Sequence, residues 1–301
     1  MLCRKPFVKG IVAFPCGQCM PCRINRRRLW SHRISLESKV HTSSVFITLT
    51  YSQENLPDGG TLVPRDVQLW LKRLRKTIGI AGLRFFLVGE YGEQTQRPHY
   101  HVVLFGFPNC ERGITEKRYA RCCDVCEVVK STWSKGAIEI RELTTGGAEY
   151  IAGYVTKKLT NANCSRTAEF LAGRHPEFTR MSNRPGIGVS ALDVLIENTG
   201  KYLFHDGDAA RHLMTDGRFK PLGRYLRSKI REKVGLCDTG ASEDKFREYK
   251  KEMLDLHKAY VADPQNSEIS FSQFLSDMDR GRVASIEARF KMFNSNKKGV
   301  I

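Results

Sequence analysis

The chain has 301 residues, room for one large domain or two modest ones, and its 41% hydrophobic and 27% charged composition is that of an ordinary water-borne globular protein. No apolar run reaches the length needed to span a bilayer and no signal peptide opens the sequence, which argues against membrane-embedded and secreted classes and for the cytoplasm. The net charge of +17 favours a polyanionic partner, nucleic acid ahead of a basic membrane-surface role.

Ten cysteines in such a chain read as thiols or metal ligands rather than disulfides. Cys16, Cys19 and Cys22 form a tight knuckle containing Gly17 and Pro21. With Cys3 they supply the four thiolates of a structural zinc site, with free thiols as the plain alternative. An iron–sulfur centre is less well matched, because no fourth cysteine follows shortly downstream. Residues 23–39 read as a helix crowded by Arg23, Arg26, Arg27, Arg28 and Arg33, with Leu29, Trp30 and Ile34 available for packing. Residues 1–39 hold nine Lys/Arg and one Glu, a net +8 (nine minus one). That concentration suits a phosphate-gripping arm better than a merely solvated helix face.

The alternating stretch Val45–Tyr51 reads as a half-buried strand. After a turn at Pro57–Gly60, Pro64 starts a helix whose Val67, Trp70, Leu71, Leu74 and Ile78 make one apolar stripe. Arg84–Gly89 is a strand with Glu90 at its end, and Arg97–Gly106 is another, opened by Pro98. In the second of these His99 and His101 are two apart, so they share a face. Paired imidazoles on a rigid strand suit a divalent metal, although a chance His-x-His is the competing reading. A hairpin would bring Glu90 near them as third ligand, with Glu93 in the turn as the alternative. Two His and one carboxylate leave open positions on a metal, as catalysis requires.

Farther along, Cys110, Cys122, Cys123 and Cys126 form a second cluster, read here as reduced thiols rather than a second zinc site. A helix over Glu127–Trp133 and a strand over Ala137–Arg141 precede a helix introduced by Thr144-Thr145-Gly146-Gly147. On that helix Tyr150 and Tyr154 are i and i+4 and share a face, with Lys157 and Lys158 one turn later. A tyrosine hydroxylate can attack phosphorus and form a phosphotyrosine; aromatic core packing is the alternative. Were only one tyrosine the nucleophile, nearness to Lys157 favours Tyr154. Residues 161–188 read as a polar connector or a loop over the active face. Gly223–Lys233 is a basic helix, and 242–295 is mainly helical with a stripe of Phe271, Phe274, Leu275 and Met278. No G-x4-G-K-[ST] phosphate loop is present, so strand separation is expected to come from another protein.

The order strand, helix, strand, strand, helix, strand, helix predicts an α+β fold. It is expected to hold an antiparallel sheet with helices on one face and an accessible site on the other, followed by a mainly helical C-terminal region. The expected divisions are residues 1–40 (cysteine knuckle and basic helix), 41–160 (catalytic core) and 161–301 (connector and helical region). An RNA-binding sheet with stacking aromatics is the competing fold, but it has no use for His-x-His.

Three blocks, Phe46-Ile47-Thr48-Leu49-Thr50-Tyr51, His99-Tyr100-His101 and Tyr150-x3-Tyr154-x2-Lys157, resemble motifs I, II and III of the HUH endonucleases. With Cys16-Gly17-Gln18-Cys19-x2-Cys22, the arginine cluster and Trp30, the chain resembles more closely the rolling-circle replication initiators of small single-stranded DNA phages, the microviruses of gokushovirus type. The motifs cover roughly half the chain. The resemblance implies a ferredoxin-like (RRM-like) sheet and a Mg²⁺ or Mn²⁺ site on His99, His101 and Glu90. It also implies tyrosine nucleophiles at Tyr150 and Tyr154 assisted by Lys157. It further implies nicking of single-stranded origin DNA through a 5′-phosphotyrosine, a free 3′-hydroxyl that primes a host polymerase, a host helicase, and action in the host bacterial cytoplasm. Three other classes remain: a plasmid relaxase or transposase of the same HUH type, a His-x-His metalloenzyme acting on small molecules, and a zinc-knuckle DNA-binding protein without catalysis.

Overall fold

A computed structural model of the protein describes residues 2–80, 82–92, 94–112, 122–157, 165–200, 203–205, 208–236 and 240–297. Glu93, Lys158, Cys164 and Cys237 lie outside them, as does the side chain of Lys157. The described chain gathers into two units. One comprises Met1–Arg26, Phe204–Ala210 and Arg227–Ile301, the other Arg27–Leu203 and Arg211–Leu226.

In the first unit β1 (Phe7–Lys9) and β2 (Val12–Phe14) form a hairpin that leads into α1 (Met20–Ser38). The rest of α1 belongs to the second unit. There β3 (Ser44–Thr50), α2 (Pro64–Ile78), β4 (Arg84–Tyr91), β5 (Pro98–Phe105), α3 (Asp124–Trp133), β6 (Ile138–Glu142) and α4 (Thr145–Lys157) follow in the expected order. Pro64 stands at the start of α2, where its missing N–H costs nothing, and Gly79 closes the helix in the left-handed conformation. The second unit continues with α5 (Ser165–Leu171), β7 (Phe178–Met181) and α6 (Leu192–Thr199).

Among the described residues five strands form one sheet in the order β6-β3-β5-β4-β7, every neighbouring pair antiparallel. The first four strands in sequence, β3, β4, β5 and β6, take the spatial order fourth, first, third, second. This is the ferredoxin-like arrangement expected. The sheet divides two apolar clusters. On one face Val45, Ile47 and Leu49 of β3, Leu87 of β4, Val102 and Leu104 of β5 and Ile140 of β6 pack against Trp70, Leu71 and Leu74 of α2 and Val129 and Trp133 of α3. Each fully buried side chain of this size contributes about 1.5–3 kcal/mol. On the other face Phe86, Val88, Val103 and Phe105 meet Ile34 of α1 and Ala148, Ile151 and Ala152 of α4.

Two readings need adjustment. The face expected to be left free of helices carries α1 and α4, because α4 has an apolar side of its own to bury. The stretch 161–188, expected as a connector, contains α5 and the edge strand β7. A four-residue strand is too short to show alternation, and it forms because the outer side of β4 offers unpaired N–H and C=O groups.

Several arginines read as a phosphate-gripping row fasten the fold instead. Arg33 is buried, donates from Nε to the Ile187 carbonyl (2.9 Å) and stacks on Trp30 and Tyr225. Arg27 Nε donates to the Glu149 carbonyl of α4 (3.1 Å). The hairpin β10 (His212–Thr215) and β11 (Arg218–Pro221), which periodicity did not reveal, also meets α1. Buried His32 donates from Nδ1 to the Pro221 carbonyl (2.9 Å) and lies 3.1 Å from Thr215 Oγ1. Burial pushes its pKa down to about 4.

In the first unit β8 (Phe204–His205) and β9 (Asp208–Ala209) pair. The helix α7 (Gly223–Lys233) spends two of its basic residues internally, since Arg227 and Arg231 both bond the buried carboxylate of Asp208 (2.7 and 2.6 Å). Beyond it come α8 (Gly240–Ala262), α9 (Phe271–Met278) and α10 (Arg280–Lys297). Met253 and Phe271 close on Ala13 of the hairpin, and Tyr249 Oη donates to the Ala13 carbonyl (2.6 Å). The helical C-terminal region is thus as expected. No helix among the described residues is long and apolar enough to cross a membrane.

One buried charge ties α1 to the sheet and to the 186–190 segment. Glu37 accepts from the Gly188 N–H (2.7 Å), from Ser190 Oγ (3.2 Å) and from Arg84 Nε. Burial alone would raise its carboxyl pKa, but Arg84 and the Gly188 N–H outweigh burial and hold it below the ordinary value. A depressed folded pKa stabilises the fold above the ordinary carboxylate range, and the benefit is lost as pH falls through it. Glu37→Gln should therefore cost about 3 kcal/mol at neutral pH. The difference from the native chain should shrink at pH 4, as measured by urea unfolding; an equal loss at both pH values would contradict this account.

Candidate metal centre and tyrosine pair

The β3–β5–β4 ladder sets the site. Glu90 pairs directly with His99, and His101 lies opposite Val88 of β4 and Thr48 of β3. Glu90, His99 and His101 therefore project from the same face, and Glu90 Oε1 lies 2.8 Å from His99 Nε2 and 3.2 Å from His101 Nε2. The three ligand atoms all fall within 4.8 Å of one another. Glu90 and His101 are buried and His99 is half-buried.

The other ring nitrogens are engaged too. His99 Nδ1 lies 3.1 Å from the Arg97 carbonyl and His101 Nδ1 lies 3.2 Å from Thr48 Oγ1. A carbonyl only accepts, so His99 Nδ1 carries the proton of that hydrogen bond. A neutral His99 then aims a bare Nε2 lone pair at a carboxylate oxygen. Two acceptors that close require a cation, either a proton on the imidazole or a metal ion shared by the donors. The donor set, two imidazoles and a carboxylate, suits Mn²⁺ and accommodates Mg²⁺. Arg97 itself is anchored through the Tyr51 carbonyl (2.9 Å) and Gln53 (2.8 Å), which steadies the carbonyl that orients His99. Thr48 and the Arg97 backbone were not singled out from the sequence; the hydroxyl on the histidine face of an adjacent strand was the signal available.

Burial pushes the Glu90 carboxyl up, but the His101 and His99 hydrogen bonds, with imidazole charge behind them, bring it down to about 2. Glu90 thus stays ionised at neutral pH. Burial pushes His101 down against the opposing pull of Glu90, which favours the neutral ring a metal needs.

Tyr100, between the two histidines, faces the opposite side of the sheet. Its hydroxyl accepts from the Val63 N–H (2.9 Å) and donates to the Val63 carbonyl (3.0 Å), with Tyr51 Oη 2.9 Å away. Trp133 Nε1 donates to the Thr50 carbonyl (3.0 Å), and Thr50 is the β3 partner of His99. Gly136 allows the approach to β6 to press against Thr50, since its φ is +156° and a Cβ there would collide with the Thr50 carbonyl.

The tyrosine helix α4 meets the histidines on their own face. Tyr154 stacks on His101 with ring centroids 4.9 Å apart and planes 19° apart. Tyr150 stands edge-on to Tyr154 (4.7 Å, 89°) and 5.8 Å from the His101 ring. Their surroundings differ: Tyr150 is 45% exposed and Tyr154 only 9%. Burial first, then the Glu90 charge and the contact with Tyr150, push the Tyr154 phenol well above the ordinary tyrosine range. Lys157 closes α4, and its side chain, like Lys158 and Glu93, lies outside the described residues.

At the N-terminus the sulfurs of Cys3, Cys16, Cys19 and Cys22 all lie within 4.8 Å of one another. Backbone N–H groups point at them: Cys16 N–H at Cys3 Sγ (3.2 Å), Cys19 N–H at Cys16 Sγ (3.3 Å) and Arg4 N–H at Cys19 Sγ (3.4 Å). Burial opposes ionisation of Cys16, but the Cys19 and Gln18 N–H groups outweigh it and lower the thiol to about 7.

Residues 44–159, the stretch that carries this geometry, match the family described as replication-associated protein ORF2. The chain is 35% identical over 159 residues to replication-associated protein VP4 of Bdellovibrio phage phiMH2K, covering 50% of each. It is 36% identical over 156 residues to replication-associated protein ORF2 of Spiroplasma virus 4, covering 48% of each. To replication-associated protein ORF4 of Chlamydia phage 1 it is 28% identical over 158 residues, 48% of this chain and 38% of that one. The chain thus spans about half the length, or less, of these curated relatives. No solved structure matches it. The resemblance to phage replication initiators carried by the motifs is borne out, and the part of the chain that holds the histidines and tyrosines matches the family of phage replication-associated proteins.

Proposed function

We propose that the protein is an HUH-type endonuclease and strand transferase that nicks single-stranded origin DNA to start rolling-circle replication of a phage genome. The observation that carries this reading is the convergence, on one sheet face, of Glu90, His99 and His101 with a tyrosine pair stacked on His101. The similarity to phage replication-associated proteins supports it. On this reading residues 41–160 are the catalytic core.

His99 Nε2, His101 Nε2 and the Glu90 carboxylate would hold Mg²⁺ or Mn²⁺. When bound, the ion would polarise the scissile phosphate and draw off its negative charge. Thr48 and the Arg97 carbonyl keep the ring nitrogens aimed at that position. Tyr150, the accessible tyrosine, attacks phosphorus after its phenolic proton leaves; the new bond is a 5′-phosphotyrosine and the bond that breaks releases a 3′-hydroxyl. Lys157 is assigned to charge stabilisation near the tyrosines. Tyr154, held protonated by burial and by Glu90, serves the second transfer that recloses the circle. The freed 3′-hydroxyl primes a host polymerase, a host helicase separates the strands, and the reaction takes place in the bacterial cytoplasm. The Cys3, Cys16, Cys19 and Cys22 cluster would hold one structural Zn²⁺ that folds the basic N-terminal arm.

Two measurements test this. Isothermal titration with Mn²⁺ should find one site that is lost in Glu90→Ala and weakened about 10–100-fold in Thr48→Val; native affinity in both variants would remove the metal assignment. Denaturing electrophoresis of protein mixed with Mn²⁺ and labelled single-stranded origin DNA should reveal a covalent adduct. His99→Ala and His101→Ala should lose the adduct while keeping DNA affinity within a few-fold, because Lys and Arg supply the binding. Tyr150→Phe should lower the first cut by orders of magnitude, Tyr154→Phe should keep it and lose circle closure, and the double variant should do neither. An adduct in the double variant would overturn the tyrosine mechanism.

A further inference from the structure

The sequence suggested four reduced thiols for the second cysteine cluster, but the fold brings them to one point. The sulfurs of Cys110, Cys122, Cys123 and Cys126 all lie within 4.8 Å of one another, with Cys110 Sγ and Cys122 Sγ 3.5 Å apart. Tetrahedral thiolates about 2.3 Å from a zinc ion sit about 3.8 Å from each other, so the cluster already has the span of such a site. All four are free cysteines; Cys110 and Cys126 are buried and Cys122 and Cys123 half-buried. Cys110 and Cys126 belong to the apolar cluster beneath α2 and α3, and Cys122 and Cys123 pack against it. Four thiols converging in apolar surroundings have few partners other than one another.

We propose that Cys110, Cys122, Cys123 and Cys126 form a second structural zinc site, separate from the N-terminal knuckle and from the histidine centre. All four positions are protein thiolates, so the site is closed to substrate and its role is structural. Zinc displaces the thiol protons and binds the sulfurs as thiolates.

The position in the chain gives the site a task. Cys110 follows the end of β5, the strand of His99 and His101; Cys123 caps the N-terminus of α3, and Cys126 lies in its first turn. Zinc would therefore fasten the exit of the histidine strand to α3. The far end of α3 carries Trp133, whose indole holds the Thr50 carbonyl beside His99. A tetrathiolate zinc centre is a net dianion, and the positive end of the α3 dipole faces it favourably. The proposal does not depend on the endonuclease reading, since its evidence is the thiol cluster alone.

The test is elemental analysis of the full chain purified without chelator. Cys110→Ser/Cys126→Ser should lose one zinc equivalent relative to the native chain, and Cys16→Ser/Cys19→Ser should retain the zinc at this site. Thermal unfolding of the first variant should also begin at lower temperature. Unchanged zinc content in Cys110→Ser/Cys126→Ser, or none in Cys16→Ser/Cys19→Ser, would overturn the proposal. Zinc X-ray absorption of the native chain gives an answer that needs no variant to fold. Two equivalents per chain with sulfur-only coordination at about 2.3 Å are expected; a single equivalent that survives Cys110→Ser/Cys126→Ser, or nitrogen and oxygen ligands, would refute it.

Discussion

β5 is hydrogen-bonded along its length to β3 on one side and β4 on the other, with seven residues of β3 and eight of β4 in register. In a strand the side-chain period is two, so a slip by one residue would carry His99 and His101 to the α2 side and Tyr100 to the other. Tyr100 resists that slip, because its hydroxyl is bonded to both polar backbone groups of Val63 under the opposite face. The same register that buries Tyr100 sets Glu90 beside His99 and Thr48 beside His101. Packing on one face thus fixes chemistry on the other.

The histidine face is not a bare platform. Ala148, Ile151 and Ala152 of α4 are buried on it together with Ile34 of α1, and that packing carries Tyr150 and Tyr154 to the imidazoles. Apolar burial and site assembly are therefore one event for this helix. The two tyrosines, equivalent by helical spacing, become unequal because one lies flat on His101 beneath its neighbour while the other reaches solvent. An ionised carboxylate close by raises the energy of a second negative charge at Tyr154, the physical basis for giving the tyrosines different roles.

Basic residues divide in a similar way. Arg33 and Arg27 act as internal fasteners through carbonyls of the same unit, and Arg227 and Arg231 neutralise the buried Asp208. A guanidinium fits this use because its planar donors satisfy several acceptors while its weak hydration eases burial. An excess of +17 therefore overstates the charge free to meet a polyanion, even though it points to one correctly.

Local pattern was enough for much of this fold. The alternation of 45–51, the apolar stripe from Val67 to Ile78, and the Pro98-to-Gly106 strand each specify an element from neighbouring residues alone, and all three form. The hairpin bringing Glu90 to the histidines was legible because a short polar turn allows little else. Other features depend on partners far away in sequence. β7 exists because β4 has a free edge, the β10–β11 hairpin meets α1 across nearly two hundred residues, and α4 covers the face expected to be free. The exposure of Tyr150 against Tyr154 and the convergence of Cys110 with Cys122, Cys123 and Cys126 belong to the same class. Residue types and spacing determined which chemistry the chain could carry. Tertiary packing decided which groups meet and which of them water can reach, because burial and contact are set by the whole sheet and its helices and not by neighbours along the chain.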